Sequence, residues 1–152
     1  MKKLEYFLKS NNILKNEKIV VATSGGPDSM FLLHSLHELG FTCICAHVNH
    51  NVRKESDGEK VFVEKFCMHN GIIFESMKIE DYGDDNFHNE ARSKRYNYFG
   101  EIVKKYDAKY LLTAHHADDL IETILMRIVR GSTLRGYSGF SKIVDMKDFV
   151  IL

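Results

Sequence analysis

The sequence predicts an α/β fold, a doubly wound parallel sheet, and three observations carry the prediction. Short apolar runs alternate with amphipathic helical stretches along the 152 residues, the pattern of successive βαβ units. The runs Ile19-Val20-Val21-Ala22 and Tyr110-Leu111-Leu112-Thr113-Ala114 are almost continuously apolar, as expected of strands buried on both faces of a parallel sheet. The length is one domain's worth, and no internal repeat or low-complexity linker divides it.

Taken in order, residues 3–11 read as a short helix with Leu4, Phe7 and Leu8 on one face. Ile19 to Ala22 is the first strand. A helix then runs from about Asp28 to Leu39, with Met30, Leu33, Leu36 and Leu39 inward, and stops at Gly40. Phe41 to Val48 is the second strand, ending in the polar loop Asn49-His50-Asn51-Val52-Arg53. Residues 55–70 form a helix with Val61, Phe62, the Lys65 stem and Phe66 toward the sheet, closed by Asn70-Gly71. Ile72 to Ile79 is the third strand, and residues 80–88 are a polar, acidic connection. A strongly charged helix runs from Asn89 to about Asp107, followed by the fourth strand, Tyr110 to Ala114. The next helix is expected over roughly Ala117 to Arg130, stopped by Gly131. Residues 133–140 are glycine-interrupted, and Phe149-Val150-Ile151-Leu152 reads as a last strand. The expected strand order is 3-2-1-4-5. A chain finishing on four apolar residues is expected to be the first part of a longer protein; an edge strand that comes last is the alternative.

Composition narrows the class. Hydrophobic residues make up 44%, ordinary for a soluble globular protein. No apolar window of about 18 residues exists to span a membrane. The start, Met1-Lys2-Lys3-Leu4-Glu5-Tyr6-Phe7, lacks a signal peptide's apolar core, so a cytoplasmic location is the default. With 21 basic and 21 acidic residues the net charge is zero. A domain that binds nucleic acid by itself is usually basic, so any RNA contact is expected in a local patch or elsewhere in a longer protein. The three cysteines, Cys43, Cys45 and Cys67, read as reduced thiols. Cys43, Cys45 and His47 alternate along one strand face, but same-face neighbours lie roughly 6.6 Å apart, too far for adjacent ligands of one zinc. They read as small core residues.

The stretch Val20-Val21-Ala22-Thr23-Ser24-Gly25-Gly26-Pro27-Asp28-Ser29-Met30 is a strand–loop–helix junction. Such a junction aims free N–H groups and the positive end of a helix dipole at one point, where an anion is favoured. Gly25 and Gly26 allow positive φ and a close approach to phosphate. Pro27, the chain's one proline, suits a first helical position. The stretch is not GxxxxGK[ST]; an aspartate sits where that pattern has its lysine. Asp28 beside a polyphosphate makes sense with a bridging cation, most simply Mg²⁺. A tight β–α turn with Asp28 or Ser29 as helix cap is the alternative.

A second constellation follows the fourth strand: Ala114-His115-His116-Ala117-Asp118-Asp119-Leu120-Ile121-Glu122-Thr123. On a helix, Asp118 or Asp119 can share a face with Glu122. Carboxylates in a first turn are favoured by the dipole alone; the adjacent histidines add groups that orient a carboxylate or exchange protons near neutral pH. In the order 3-2-1-4-5, strands one and four flank the reversal of winding, where open α/β sheets bind ligands. The Ser24–Ser29 loop and the His115–Glu122 cluster then face one cleft, the layout of a Mg²⁺-dependent nucleotide site.

Ser24-Gly25-Gly26-Pro27-Asp28-Ser29 resembles the SGGxDS signature of the N-type ATP pyrophosphatases, the PP-loop family. Within it, Ala46-His47-Val48-Asn49-His50-Asn51-Val52-Arg53 resembles the HVNHxxR segment of the tRNA(Ile)-lysidine synthetases. Glu90-Ala91-Arg92-Ser93-Lys94-Arg95-Tyr96 is similar to their EARxxRY helix. Thr113 to Asp119, then Glu122-Thr123 and Arg130-Gly131-Ser132, resembles their THHxDDxxET…RGS stretch. The resemblance implies a three-layer α/β/α fold of the adenine nucleotide alpha hydrolase-like type, residues 1–152 forming the ATP pyrophosphatase domain, without the family's C-terminal tRNA-binding domains. It implies ATP-dependent ligation of L-lysine to C2 of the wobble cytidine of a tRNA(Ile) with a CAU anticodon, through an adenylated intermediate. Implied roles follow the motifs: Ser24, Gly25, Gly26, Pro27, Asp28 and Ser29 bind ATP; Asp28 and Asp119, with Glu122 as a further candidate, hold Mg²⁺; His115 orients Asp119 or handles a proton; Arg92 and Arg95 reach the α-phosphate or the tRNA, or form a solvated face. Partners implied are the tRNA and lysine, with no membrane; a homodimer is one assembly open to the full-length protein. The fragment alone is expected to bind ATP but to modify tRNA poorly. A PP-loop tRNA thiolase and a non-catalytic ATP-binding module are the rival readings. The first is disfavoured by the absence of a CxxC pair, the second by the ionisable groups at 115–122.

Overall fold

The computed structural model describes the backbone of residues 2–49, 55–78, 87–117, 120–128 and 140–146, and the side chains of residues 4–26, 28–49, 58–78 and 94–114. Ten elements follow in chain order: α1 (Lys2–Ser10), β1 (Lys18–Thr23), α2 (Pro27–Glu38), β2 (Thr42–Asn49), α3 (Glu55–Asn70), β3 (Ile73–Lys78), α4 (Phe87–Lys105), β4 (Tyr110–Ala117), β5 (Leu120–Ile128) and β6 (Phe140–Met146). They form one sheet of order β3-β2-β1-β4-β5-β6. The first four strands are parallel, with Thr23 level with His47 on β2 and Ala22 level with Thr113 on β4.

Successive side chains of β1 point to opposite faces, and Ile19, Val20 and Val21 are all buried because both faces are covered. Ile19 and Val21 join Leu4 and Leu8 of α1, Leu32, Leu33 and Leu36 of α2, and Val63 and Cys67 of α3 in one core. Val20 faces the other way, with Ile44, Ala46 and Leu111, against Tyr96, Phe99, Ile102 and Val103 of α4. Helices therefore cover both faces. The winding runs β1 to β3 under α2 and α3, then reverses through α4 to β4. β1 and β4 flank that reversal, as the order 3-2-1-4 requires.

Three expectations change. On α3 the buried face is Val63 and Cys67, whereas Val61 and Phe62 are exposed. Val61-Phe62-Val63 is apolar at every position, so periodicity could not choose the inward one; the packing of Val63 under the β1–α2 loop does. On α2, Leu32 is buried and Met30 and Leu39 only half so. The third change is larger. Of the span 117–130 expected to be helical, the described residues are strand: β4 continues to Ala117, and β5 returns beside it antiparallel, Thr113 opposite Ile124 and Ala117 opposite Leu120. Ile121, Thr123, Ile124 and Ile128 are β-branched, which costs side-chain freedom in a helix and suits a pleated strand. β5 also pairs the exposed edge of β4. The fifth place in the sheet is thus antiparallel, and β6 follows it, also antiparallel. His50 to Arg53, Asp118, Asp119, Arg130 to Gly139 and Phe149 to Leu152 lie outside the described residues.

Candidate active site

β1 delivers the chain to the carboxyl end of the sheet, where the ladder with β2 ends at Thr23. Thr23 is buried; Ser24, next in sequence, is exposed. Between them and α2, Gly25 adopts φ +95°, a conformation that L side chains rarely reach. A Cβ there would also lie 3.2 Å from Glu59 Cβ and 3.5 Å from Val63 Cγ2, so α3 packs directly on the turn. Gly26 differs from expectation. Its φ of −74° and ψ of 164° are open to any residue, and it serves as N-cap without a side chain. Pro27 follows in the first helical turn, as its missing N–H favours.

The two serines brace this turn. Ser29, only 3% exposed, accepts the Ser24 N–H at Oγ over 3.1 Å and donates its hydroxyl to the Gly26 carbonyl over 3.3 Å. Ser24 Oγ accepts the Gly26 N–H at 3.2 Å and lies 3.2 Å from Ser29 Oγ. With the Ser29 proton on Gly26, the Ser24 hydroxyl is the donor of that last pair. The first helical bond runs from Met30 N–H to the Gly26 carbonyl. Among the described residues, the N–H groups of Gly25, Asp28 and Ser29 therefore have no acceptor. Three unengaged donors at the positive end of a twelve-residue helix are an arrangement that favours an anion. The Asp28 side chain stands half-buried in that first turn.

One contributor was not anticipated. His47, at the carboxyl end of β2, is 1% exposed and places Nδ1 2.7 Å from the Thr23 carbonyl. A carbonyl only accepts, so Nδ1 carries the proton. Burial, the largest influence, pushes the imidazole below its usual pKa; the Thr23 bond and the Glu59 charge pull the other way, and Lys60 adds to the lowering. The Cys43-x-Cys45-x-His47 alternation sets His47 on a strand face with the two cysteines; the register that sets it level with the last residue of β1 comes only with the fold. The cysteines are core groups, as expected. All three are buried. Burial pushes the Cys43 thiol up to about 12. Donation to Cys67 and burial hold Cys45 far above its usual range. No cluster of three potential metal ligands occurs among the described residues.

The remaining candidates are His115, Glu122, Asp119, Arg92 and Arg95. His115 lies on β4 two positions beyond Thr113, and its antiparallel partner on β5 is Glu122. Glu122 is thus level with His115 across a hairpin, where the sequence reading sets it on a helix face with Asp118 or Asp119. Asp119 lies in the connection, outside the described residues. Arg92 and Arg95 sit in the first half of α4, which starts from the carboxyl side of β3 and packs on the sheet face opposite α2. Arg95 is half-buried rather than fully solvated.

Residues 1–152 match the PP-loop domain family, whose members bind ATP. The chain belongs to that family. Among curated relatives of this PP-loop domain, the tRNA(Ile)-lysidine synthase of Bacillus cereus is 42% identical over 93% of the chain and 32% of its own length. That of Bacillus subtilis is 39% identical over 94% and 32%. The chain spans about a third of the length of these relatives. Two solved structures share the fold. A U34-tRNA thiolase from Methanococcus maripaludis superposes with a TM-score of 0.63 at 20% identity, over 78% of this chain and 45% of that one. An NH3-dependent NAD synthetase from Campylobacter jejuni gives 0.52 at 13% identity, over 74% and 52%. No helix among the described residues is long and apolar enough to cross a membrane.

Proposed function

We propose that this PP-loop domain is the ATP-using part of a tRNA(Ile)-lysidine synthase. The observation that carries the reading is the 42% identity to such a synthase over 93% of the chain, a span that takes in the anion-binding turn. In the proposed reaction the C2 oxygen of the wobble cytidine bonds to the α-phosphorus of ATP, and the bond to the β-phosphate oxygen breaks, releasing pyrophosphate. The ε-amine of free lysine then attacks C2, AMP departs, and the amine loses a proton, leaving lysidine.

The residues suit these steps. The Gly25, Asp28 and Ser29 N–H groups would hold the phosphates that leave as pyrophosphate, stabilising charge as it develops. Ser24 and Ser29 keep those donors aimed, and Pro27 starts the helix behind them. Asp28 stands beside a phosphate site and would repel its ligand unless a cation intervenes. This fits Mg²⁺ held by Asp28 and Asp119, with Glu122 a further ligand, where it would offset charge on the separating phosphates. His115 would orient a carboxylate or hold a proton at the other side of the cleft. Arg92 and Arg95 would approach the α-phosphate or the tRNA. The tRNA's main contacts would fall in the rest of a longer protein, since this domain has zero net charge. A thiolase of the same fold is the rival. It is disfavoured because all three cysteines are buried in the core.

The test is AMP release by the full-length protein with tRNA bearing a CAU anticodon, with lysine present and absent. Release that requires both tRNA and lysine is expected. Release indifferent to lysine, or none with any tRNA, would sink the reading.

A further inference from the structure

His47 is a buried polar side chain at this end of the sheet that has no part in the proposed chemistry. His47 sits under the turn, donates Nδ1–H to the Thr23 carbonyl at 2.7 Å, and leaves Nε2 buried without a hydrogen-bond partner. Thr23 is the last residue of β1 to pair with β2, and the residue after it begins the anion-binding turn. Its carbonyl is therefore where the sheet ladder stops and the turn starts. A side chain from the neighbouring strand donates to it.

We propose that His47 is a positioning residue of the anion-binding turn, acting through the Thr23 carbonyl to set the direction in which Ser24–Ser29 leave the sheet. The proposal rests on the reading of that turn as a phosphate site. Three constraints converge on the turn. His47 fixes its first peptide from the β2 side, the Ser24–Ser29 pair fixes its middle, and Val63 and Glu59 of α3 close over Gly25. The first is the only one of the three made by a titratable ring. The groups around that ring are Thr23 on β1 and Glu59 and Lys60 on α3. Without the Nδ1 donor, the buried Thr23 carbonyl turns toward another partner, and the Ser24 N–H of the same peptide plane turns away from Ser29 Oγ with it, loosening the brace on the Gly25 peptide that follows. The unengaged N–H groups then no longer converge.

Asn and Gln substitutions separate the two ring nitrogens, because an Asn amide N–H falls near the Nδ1 position and a Gln amide near Nε2. The experiment uses the 152-residue chain, with magnesium pyrophosphate as the probe in calorimetric titration and nitrogen-15 NMR read before any ligand is added. In the wild-type chain, long-range proton–nitrogen spectra are expected to place the neutral ring's proton on Nδ1. A proton on Nε2 would overturn the proposal. His47→Asn is expected to keep pyrophosphate affinity within about threefold, and His47→Gln to lose about tenfold or more, as befits one buried hydrogen bond left unmade. Phe7→Leu, a core change on α1, serves as a control for destabilisation alone and is expected to leave affinity unchanged. Equal losses in all three variants would reduce His47 to a core residue and overturn the proposal. If the wild-type chain binds no pyrophosphate, the phosphate reading fails, and the ligand-free spectra still decide on His47. Amide shifts of residues 24–30 kept by Asn and moved by Gln support the positioning role; shifts indifferent to either change refute it.

Discussion

At Gly25 the main chain takes φ +95° with the Cβ of Glu59 3.2 Å from where a side chain would begin, whereas Gly26 meets nothing closer than Ser24 Oγ at 3.5 Å. The two glycines are adjacent and chemically identical, yet they answer to different demands. Gly25→Ala is expected to cost about 1–3 kcal/mol in urea unfolding and to weaken nucleotide binding. Gly26→Ala is expected to stay within about 0.5 kcal/mol. Equal costs would mean the turn is not built as described. His47 makes a second prediction at this scale, through pH. Its folded-state pKa lies below the ordinary 6.5, because burial opposes the charged ring. The unfolded chain therefore takes up the proton first, and the stability His47 contributes is present above about pH 6.5 and is lost as pH falls through the lower folded value. Urea midpoints followed from pH 7.5 down to 5 should fall more steeply for the wild-type chain than for His47→Asn; parallel slopes would contradict the assignment. Gly25 was legible in the sequence as part of a motif, but which glycine needed positive φ was not, since that depends on α3 arriving from 34 residues further along the chain.

Among the elements, β1 to β4 and the four helices between and before them were legible because their apolar runs and helical periods agree with their burial. α3 shows where that agreement stops. Three consecutive apolar residues, Val61-Phe62-Val63, give no phase, and only Val63 is enclosed. Val63→Ala is expected to destabilise by about 1–3 kcal/mol, by lost burial and the cavity left under the turn. Phe62→Ser on the same helix should change stability by less than about 0.5 kcal/mol. The reverse ranking in thermal or urea unfolding would return the inward face to Phe62. Residues 117–130 show a different kind of ambiguity. Carboxylates after a strand read as a helix start, while Ile121, Thr123, Ile124 and Ile128 favour a strand, and local sequence does not say which wins. Pairing with the open edge of β4 settles it by a tertiary contact. Cross-strand NOEs between Thr113 and Ile124 are the direct check; helical i to i+3 contacts through 120–128 would contradict the hairpin.

For the whole molecule, topology does most of the functional work. The reversal between β1 and β4 brings the Ser24–Ser29 turn and His115 to one end of the sheet, although some 90 residues separate them. That juxtaposition was legible from the strand order alone. The brace beneath it was not, because His47 reads as one more residue of a buried strand until the register sets it level with Thr23. The fold alone does not choose among chemistries, since a tRNA thiolase and an NAD synthetase share it. The proposal of lysine transfer rests on the likeness to the lysidine synthases. The measurement that reaches the claim most directly is mass spectrometry of the wobble nucleoside, after the full-length protein has acted on tRNA(Ile) with a CAU anticodon in the presence of ATP and lysine. The account predicts cytidine carrying one lysine, joined with loss of one water. Cytidine left unchanged, or cytidine in which sulfur has replaced the C2 oxygen, would contradict it.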